Sequence, residues 1–389
     1  MGLFPRGFLW GTATAAHQVE GGNWNNDWWA WEHDPASLCV EPSGDACDHY
    51  HRYPEDLDLL ASLGFNAYRF SLEWSRIEPE EGEFSRAALR HYRRMVGACR
   101  ERGLEPVVTL HHFTTPRWVA ARGGWADPAT AERFARFAAV AADALADEVR
   151  WVCTINEPNI VATMGYLTGL FPPGERDPER RRRAQGVLVE AHRRAAEVVR
   201  RAIPEAAVGL TLAMSDYQAA EPAGEAILEA LRAEDEDPLL EATAGDGFIG
   251  VQSYSRILVG RDGRRGPPPG AEQTLMGWEF YPEALEATVR RAHCETGLPV
   301  LVTENGVAVR DDTRRVEYVR RALEGIRRCL ADGVPVLGYC YWSALDNFEW
   351  ALGYGPTFGL IEVDRQSLQR RPRPSARWLG AVARANALP

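Results

Sequence analysis

The chain has 389 residues, with 44 basic and 55 acidic side chains and a formal net charge of −11. All 44 basic residues are Arg. Without a Lys there is no Schiff-base, pyridoxal-phosphate or phosphate-loop lysine chemistry, and the acidic balance argues against a nucleic-acid partner.

The composition, 45% hydrophobic and 25% charged, is that of a soluble protein with a sizeable core. In chain order, the start Met1-Gly-Leu-Phe-Pro-Arg-Gly-Phe-Leu-Trp carries an apolar run too short for a signal peptide. Arg6 stands where a myristoylation signal needs Ser or Thr. Short apolar runs follow at residues 8–11, 67–71, 106–110, 151–155, 208–212, 248–251, 300–303 and 336–341. They are nearly continuous in apolarity, as strands buried on both faces should be. Helix-period stretches lie between them, at 54–63, 86–102, 129–146, 183–202, 282–296 and 313–331. Several begin with Pro or acids and stop at Gly, the expected helix punctuation.

Eight strands alternating with helices predict an α/β fold, a (β/α)₈ TIM barrel, in one catalytic domain over residues 1–389. A doubly wound sheet fits less well, because no glycine-rich phosphate turn follows the first strand. The Gly/Pro/Arg-rich segment 260–270 reads as a surface loop, and the charge runs 180–183 and 234–237 read as solvated faces. No stretch approaches the ~20 apolar residues that span a bilayer. The seven Cys are odd in number and lack a Cys-x-x-Cys pair, so free thiols in a reducing, cytoplasmic setting are expected.

Reactive groups of such barrels gather at the C-terminal ends of the strands. Two glutamates stand out there: Glu157 in Asn156-Glu-Pro and Glu304 in Thr303-Glu-Asn-Gly, each closing an apolar strand beside an Asn. A charge at the end of a buried strand is costly unless it is used or paired. Either could be a strand-end carboxylate held by an Arg. Two in matched settings suggest instead the pair that glycoside hydrolysis requires, one protonated and one ionised. The 13 Trp, 12 Tyr and 13 Phe either pack the core or offer ring faces on which sugars stack.

The ordered motifs Phe8-Leu-Trp-Gly-Thr-Ala-Thr-Ala, Tyr68-Arg-Phe-Ser, Asn156-Glu-Pro, Thr303-Glu-Asn-Gly and Asp346-Asn-Phe-Glu-Trp350 make the chain resemble glycoside hydrolase family 1 over nearly its whole length. The resemblance implies a retaining, exo-acting β-glycosidase for terminal unphosphorylated β-D-glucosides, galactosides or fucosides, with Glu157 as acid/base and Glu304 as nucleophile. It implies further that Arg69 and Tyr254 attend Glu304, and that Gln18, His112, Asn156, Trp342, Glu349 and Trp350 hold the sugar. Gln252 and Phe358 join the same set. Gln252 and Ser253 stand where the family usually has Asn and Tyr, and Phe113 replaces a Trp. Glu349 is read as a negative charge that would repel a 6-phosphate.

The expected partner is a small-molecule β-glycoside, with no cofactor and no metal. His49 with His51, and His111 with His112, lack metal-site spacing. An endoglycanase sharing only Asn156-Glu-Pro, or an inactive sugar-binding barrel, is the alternative reading.

Overall fold

The computed structural model describes residues 3–389, so the first two residues of the amino-terminal stretch read above lie outside it. Eight strands form the centre: β1 Leu9–Ala13, β2 Ala67–Ser71, β3 Glu105–His111, β4 Trp151–Asn156, β5 Ala207–Ala213, β6 Phe248–Gln252, β7 Val300–Asn305 and β8 Val336–Trp342. Each pairs in parallel with its neighbour, and β1 closes the ring by pairing with both β8 and β2. Every predicted strand is present. Most run one or two residues further than expected, because polar ends such as Asn156 and Asn305 still join the ladder.

The ring is closed at its lower end by apolar side chains. Leu9, Ala67, Val107, Cys153, Phe248 and Leu301, from six different strands, form one buried cluster there. Outward-facing residues such as Tyr68, Phe70, Val108, Leu110 and Val152 pack in the larger core that contains residues of the surrounding helices. Because the bottom is plugged, polar side chains higher in the ring open toward one end only.

Two register shifts aim the functional strands. In β4 the pairing with β5 slips between Cys153 and Asn156, and in β7 the pairing with β6 slips between Val302 and Glu304. A bulge of this kind breaks strict alternation. Cys153 and Asn156, and likewise Leu301 and Glu304, are therefore three residues apart yet both face the barrel interior.

Some expectations need correction. The helix predicted from residue 183 spans Pro178–Ala202, because the Asp177 carboxylate caps it by accepting from the amides of Glu179 and Arg180. The charge runs are not wholly solvated. Arg181 is buried and reaches Asp235, while Arg291 pairs with Glu236 and Asp237. Opposite charges from distant segments offset the desolvation that each alone would suffer. The segment 260–270 holds a short strand, Gly263–Arg265, antiparallel to Arg256–Gly260, which in turn pairs with Asp216–Ala219. The short helix Pro158–Tyr166, directly after β4, was not predicted.

Among the described residues, no helix is long and apolar enough to cross a membrane. All seven cysteines are unpaired, five of them buried. His49 is committed to Asp56 at 2.7 Å and to the Tyr68 hydroxyl at 3.2 Å, which accounts for its burial.

Candidate active site

A cavity of about 780 Å³ opens at the C-terminal ends of the strands. Nine of the twelve residues singled out from the sequence line it: His112, Glu157, Gln252, Tyr254, Glu304, Trp342, Glu349, Trp350 and Phe358. The other three, Gln18, Arg69 and Asn156, stand directly behind and are fully buried.

Glu304 is held from both sides. Arg69 Nη1 donates to its Oε1 at 2.5 Å, and the Tyr254 hydroxyl donates to its Oε2 at 2.6 Å. The same guanidinium donates through Nη2 to Asn156 Oδ1 at 2.6 Å, tying β2, β4 and β7 together. A carboxylate with two fixed donors is both charge-compensated and oriented. Two residues further on, a Cβ at Gly306 would run into the Trp342 carbonyl, so the chain leaves β7 with a residue that has none.

Glu157 differs in each respect. No hydrogen bond is made by its side chain to the helix it precedes, and its backbone is left-handed, with φ +46° and ψ +59°. A non-glycine residue in that region costs on the order of 1–3 kcal/mol and persists only where its surroundings impose it. Here the Glu157 amide donates to the Thr211 carbonyl at 2.8 Å, and Pro158 starts the helix. Burial pushes the Glu157 carboxyl well above the usual range, and the nearby Glu304 charge pushes it further, against the pull of Arg69. One cavity thus holds a carboxyl whose surroundings favour the protonated form and a second carboxyl paired with an arginine.

Asn156 Oδ1 accepts from Arg69, from Gln252 Nε2 at 3.0 Å and from Thr211 at 3.3 Å, which fixes the amide's orientation. Its Nδ2 then donates to His112 Nε2 at 3.2 Å. With Nε2 accepting, the ring proton belongs on Nδ1, which has no protein partner. Burial and the Arg69 charge keep His112 neutral. The neighbouring His111 faces the opposite way, into Trp125 and Phe134, and burial pushes it down to about 3. The adjacent pair therefore splits between core and cavity.

The substitution at Gln252 has a visible result. The longer side chain delivers its amide nitrogen to Asn156 and leaves its own buried Oε1 unpartnered. Gln18 Nε2 donates to the Phe348 carbonyl at 2.7 Å, and Gln18 Oε1 and Glu349 Oε2 are likewise buried without protein partners. Buried polar atoms are rarely left unmatched. Gln18 and Gln252 thus offer acceptors, His112 a donor, and Glu349 an oxygen that accepts when ionised or donates when protonated, for a polyhydroxylated ligand. His112 lies parallel to Trp342, with centroids 5.8 Å apart, and His17 stacks on Trp350 at 5.8 Å. Phe113 fills its corner against Trp350 at 5.0 Å.

Glu349 is not the fixed charge expected of it. Burial, then the Glu304 charge, raise it to about 8, against a lowering hydrogen bond from Trp342. Since the folded pKa exceeds the unfolded 4.5, the folded state binds the extra proton. Stability from this group is full below pH 4.5 and falls by about 1.4 kcal/mol per unit as pH rises toward 8. Glu349→Gln is therefore expected to melt higher than the native protein at pH 8 and to lose that advantage near pH 4.5. An equal difference in melting temperature at both pH values would contradict this.

Comparison with known proteins settles the kinship. The profile described as glycosyl hydrolase family 1 matches residues 1–248 and 252–388. The chain belongs to glycosyl hydrolase family 1. It is a glycoside hydrolase, as the motifs at Glu157 and Glu304 led us to expect. Family 1 relatives include Beta-glucosidase A of Thermotoga maritima, 32% identical over 99% of this chain and 98% of the relative. That alignment runs over 443 positions against 389 residues, so the relative carries residues this chain lacks. A bifunctional beta-D-glucosidase/beta-D-fucosidase of Bifidobacterium breve is 34% identical over 97% of both chains. Among solved family 1 structures, that of the beta-glycosidase BGL167 superposes with a TM-score of 0.93 at 47% identity, over 99% of this chain and 98% of the other.

Sequence reasoning missed the residues around the cavity's outer part. Leu38, Met164, Met214, Met276, Trp278 and Leu352 all line it. They come from five separate segments and share no motif.

Proposed function

We propose that this family 1 enzyme is a retaining, exo-acting β-glycosidase that removes terminal unphosphorylated β-D-glucosyl units, with galactosyl and fucosyl units also accepted. Supporting this is one observation above the others: Glu157 and Glu304 open onto the same cavity, with Arg69 and Tyr254 bonded to Glu304.

In the first step, a Glu304 carboxylate oxygen attacks the anomeric carbon while Glu157 gives its proton to the departing oxygen. The bond to the aglycone breaks as the glycosyl ester forms. Esterification removes the Glu304 charge, which had helped hold the proton on Glu157. Glu157 is then the stronger acid, and its carboxylate takes a proton from water as that water attacks the same carbon. Sugar is released with its original configuration, and Glu304 regains its charge.

The buried, unpartnered polar atoms of Gln18, His112, Gln252 and Glu349 suit the hydroxyls of an enclosed terminal sugar. A 6-phosphate would enter a site whose buried cation, Arg69, is already spent on Glu304 and Asn156. The barrel from β1 to β8 serves in this reading as one catalytic domain. The unpaired thiols favour the cytoplasm.

Turnover of chromogenic β-glucoside, β-galactoside and β-fucoside, beside a soluble β-glucan, tests the proposal. Cleavage of the monosaccharide glycosides with little release from the polymer is expected. Preference for the polymer would overturn it.

A further inference from the structure

The cavity is larger than one sugar needs, and its two parts differ in chemistry. Around Glu304 it is polar. Toward the opening, where side chains are more exposed, it is lined by Met164, Leu170, Met276, Trp278 and Leu352. The short helix Pro158–Tyr166 connects the two parts. Positions 157, 160 and 164 share one helical face at three- and four-residue spacing, and Glu157, Ile160 and Met164 all line the cavity. The oxygen that Glu157 protonates therefore leaves along an apolar wall.

The rim continues that wall. Among the described residues, six large apolar side chains are exposed, and three of them, Leu38 at 60%, Leu352 at 43% and Trp278 at 37%, line this cavity. A fourth, Val40, stands beside them, its amide donating to the Ala351 carbonyl at 3.0 Å. Scattered exposed apolar residues are ordinary, whereas their gathering at one opening marks a binding surface.

The charges at the rim are already matched. Arg256 makes two 2.8 Å hydrogen bonds to Glu279, and Arg265 pairs with Glu221 at 2.6 Å. The Ser255 hydroxyl donates to the Glu279 carbonyl at 2.7 Å. A second sugar placed here would bury hydroxyls with few partners. Met side chains, by contrast, adapt to apolar groups of varied shape.

We propose that the outer cavity is an aglycone site for a neutral, extended apolar alcohol, so that the preferred substrates are glycosides of such alcohols rather than disaccharides. This rests on the β-glycosidase reading above and adds the class of its leaving group.

The test is kcat/KM for methyl, butyl and hexyl β-D-glucosides beside cellobiose, all of which present the same terminal glucose. A buried methylene is worth about fourfold. The expected result is a rise of tenfold or more from methyl to hexyl, with cellobiose below hexyl. A flat series, or preference for cellobiose, overturns this inference and leaves the glycosidase reading intact. Failure to cleave any of the four overturns both. Leu38→Asp and Leu352→Asp, at exposed positions, are expected to lower the hexyl-to-methyl ratio at least threefold. An unchanged ratio in both variants would also overturn the proposal.

Discussion

Replacing Glu304 by glycine is expected to lower turnover of any β-glucoside by on the order of 10⁴-fold or more, the scale seen when a nucleophile is removed. The deletion leaves Arg69 and Tyr254 facing a space that a small anion can enter. Glu157 is still available to protonate the leaving oxygen. Added azide should therefore restore consumption of an activated β-glucoside. Because it attacks from the side vacated by the carboxylate, the product should be the α-glucosyl azide. Nuclear magnetic resonance of the product reads the configuration directly. Turnover with retained configuration in this variant would remove Glu304 from the nucleophile's position.

The second large effect belongs to Glu157→Ala, and it should depend on the leaving group. An alkyl alcohol departs only with a proton, so hexyl glucoside should lose about 10²–10⁴-fold, the usual worth of a positioned acid. A dinitrophenolate needs no proton. Its first step should survive, and the glycosyl ester should accumulate because no base remains to activate water. Azide needs no base either. It should release that ester from the face opposite Glu304 and give the β-glucosyl azide. The two variants thus predict azides of opposite configuration from one substrate. Equal losses for hexyl and dinitrophenyl glucosides would count against the acid/base role.

The barrel was legible because strands buried on both faces must be apolar almost throughout, and β5, β6 and β8 are so. The functional strand ends were legible because a carboxylate closing such a run is conspicuous. Their exact aim was not. Glu304 and Asn156 face inward only because β7 and β4 slip by one residue against their neighbours, and nothing in Val-Thr-Glu or Thr-Ile-Asn announces a bulge. Arg181 looked solvated because its partner Asp235 is far away in the chain. Glu349 looked charged because nothing in its own segment shows its burial or the distant Glu304 charge, the two causes that raise it. The apolar rim was invisible for a related reason: five or more segments each contribute one or two residues, too few for any periodicity.

The backbone at Glu157 has a bearing on how this enzyme can be improved. Its left-handed conformation and buried carboxyl both oppose folding, and glycine would relieve the first while abolishing the second. The position that performs the chemistry is thus one where an inert residue makes a sturdier protein. A selection for heat tolerance alone would drift toward idle variants here, so every round of such a campaign must also score turnover.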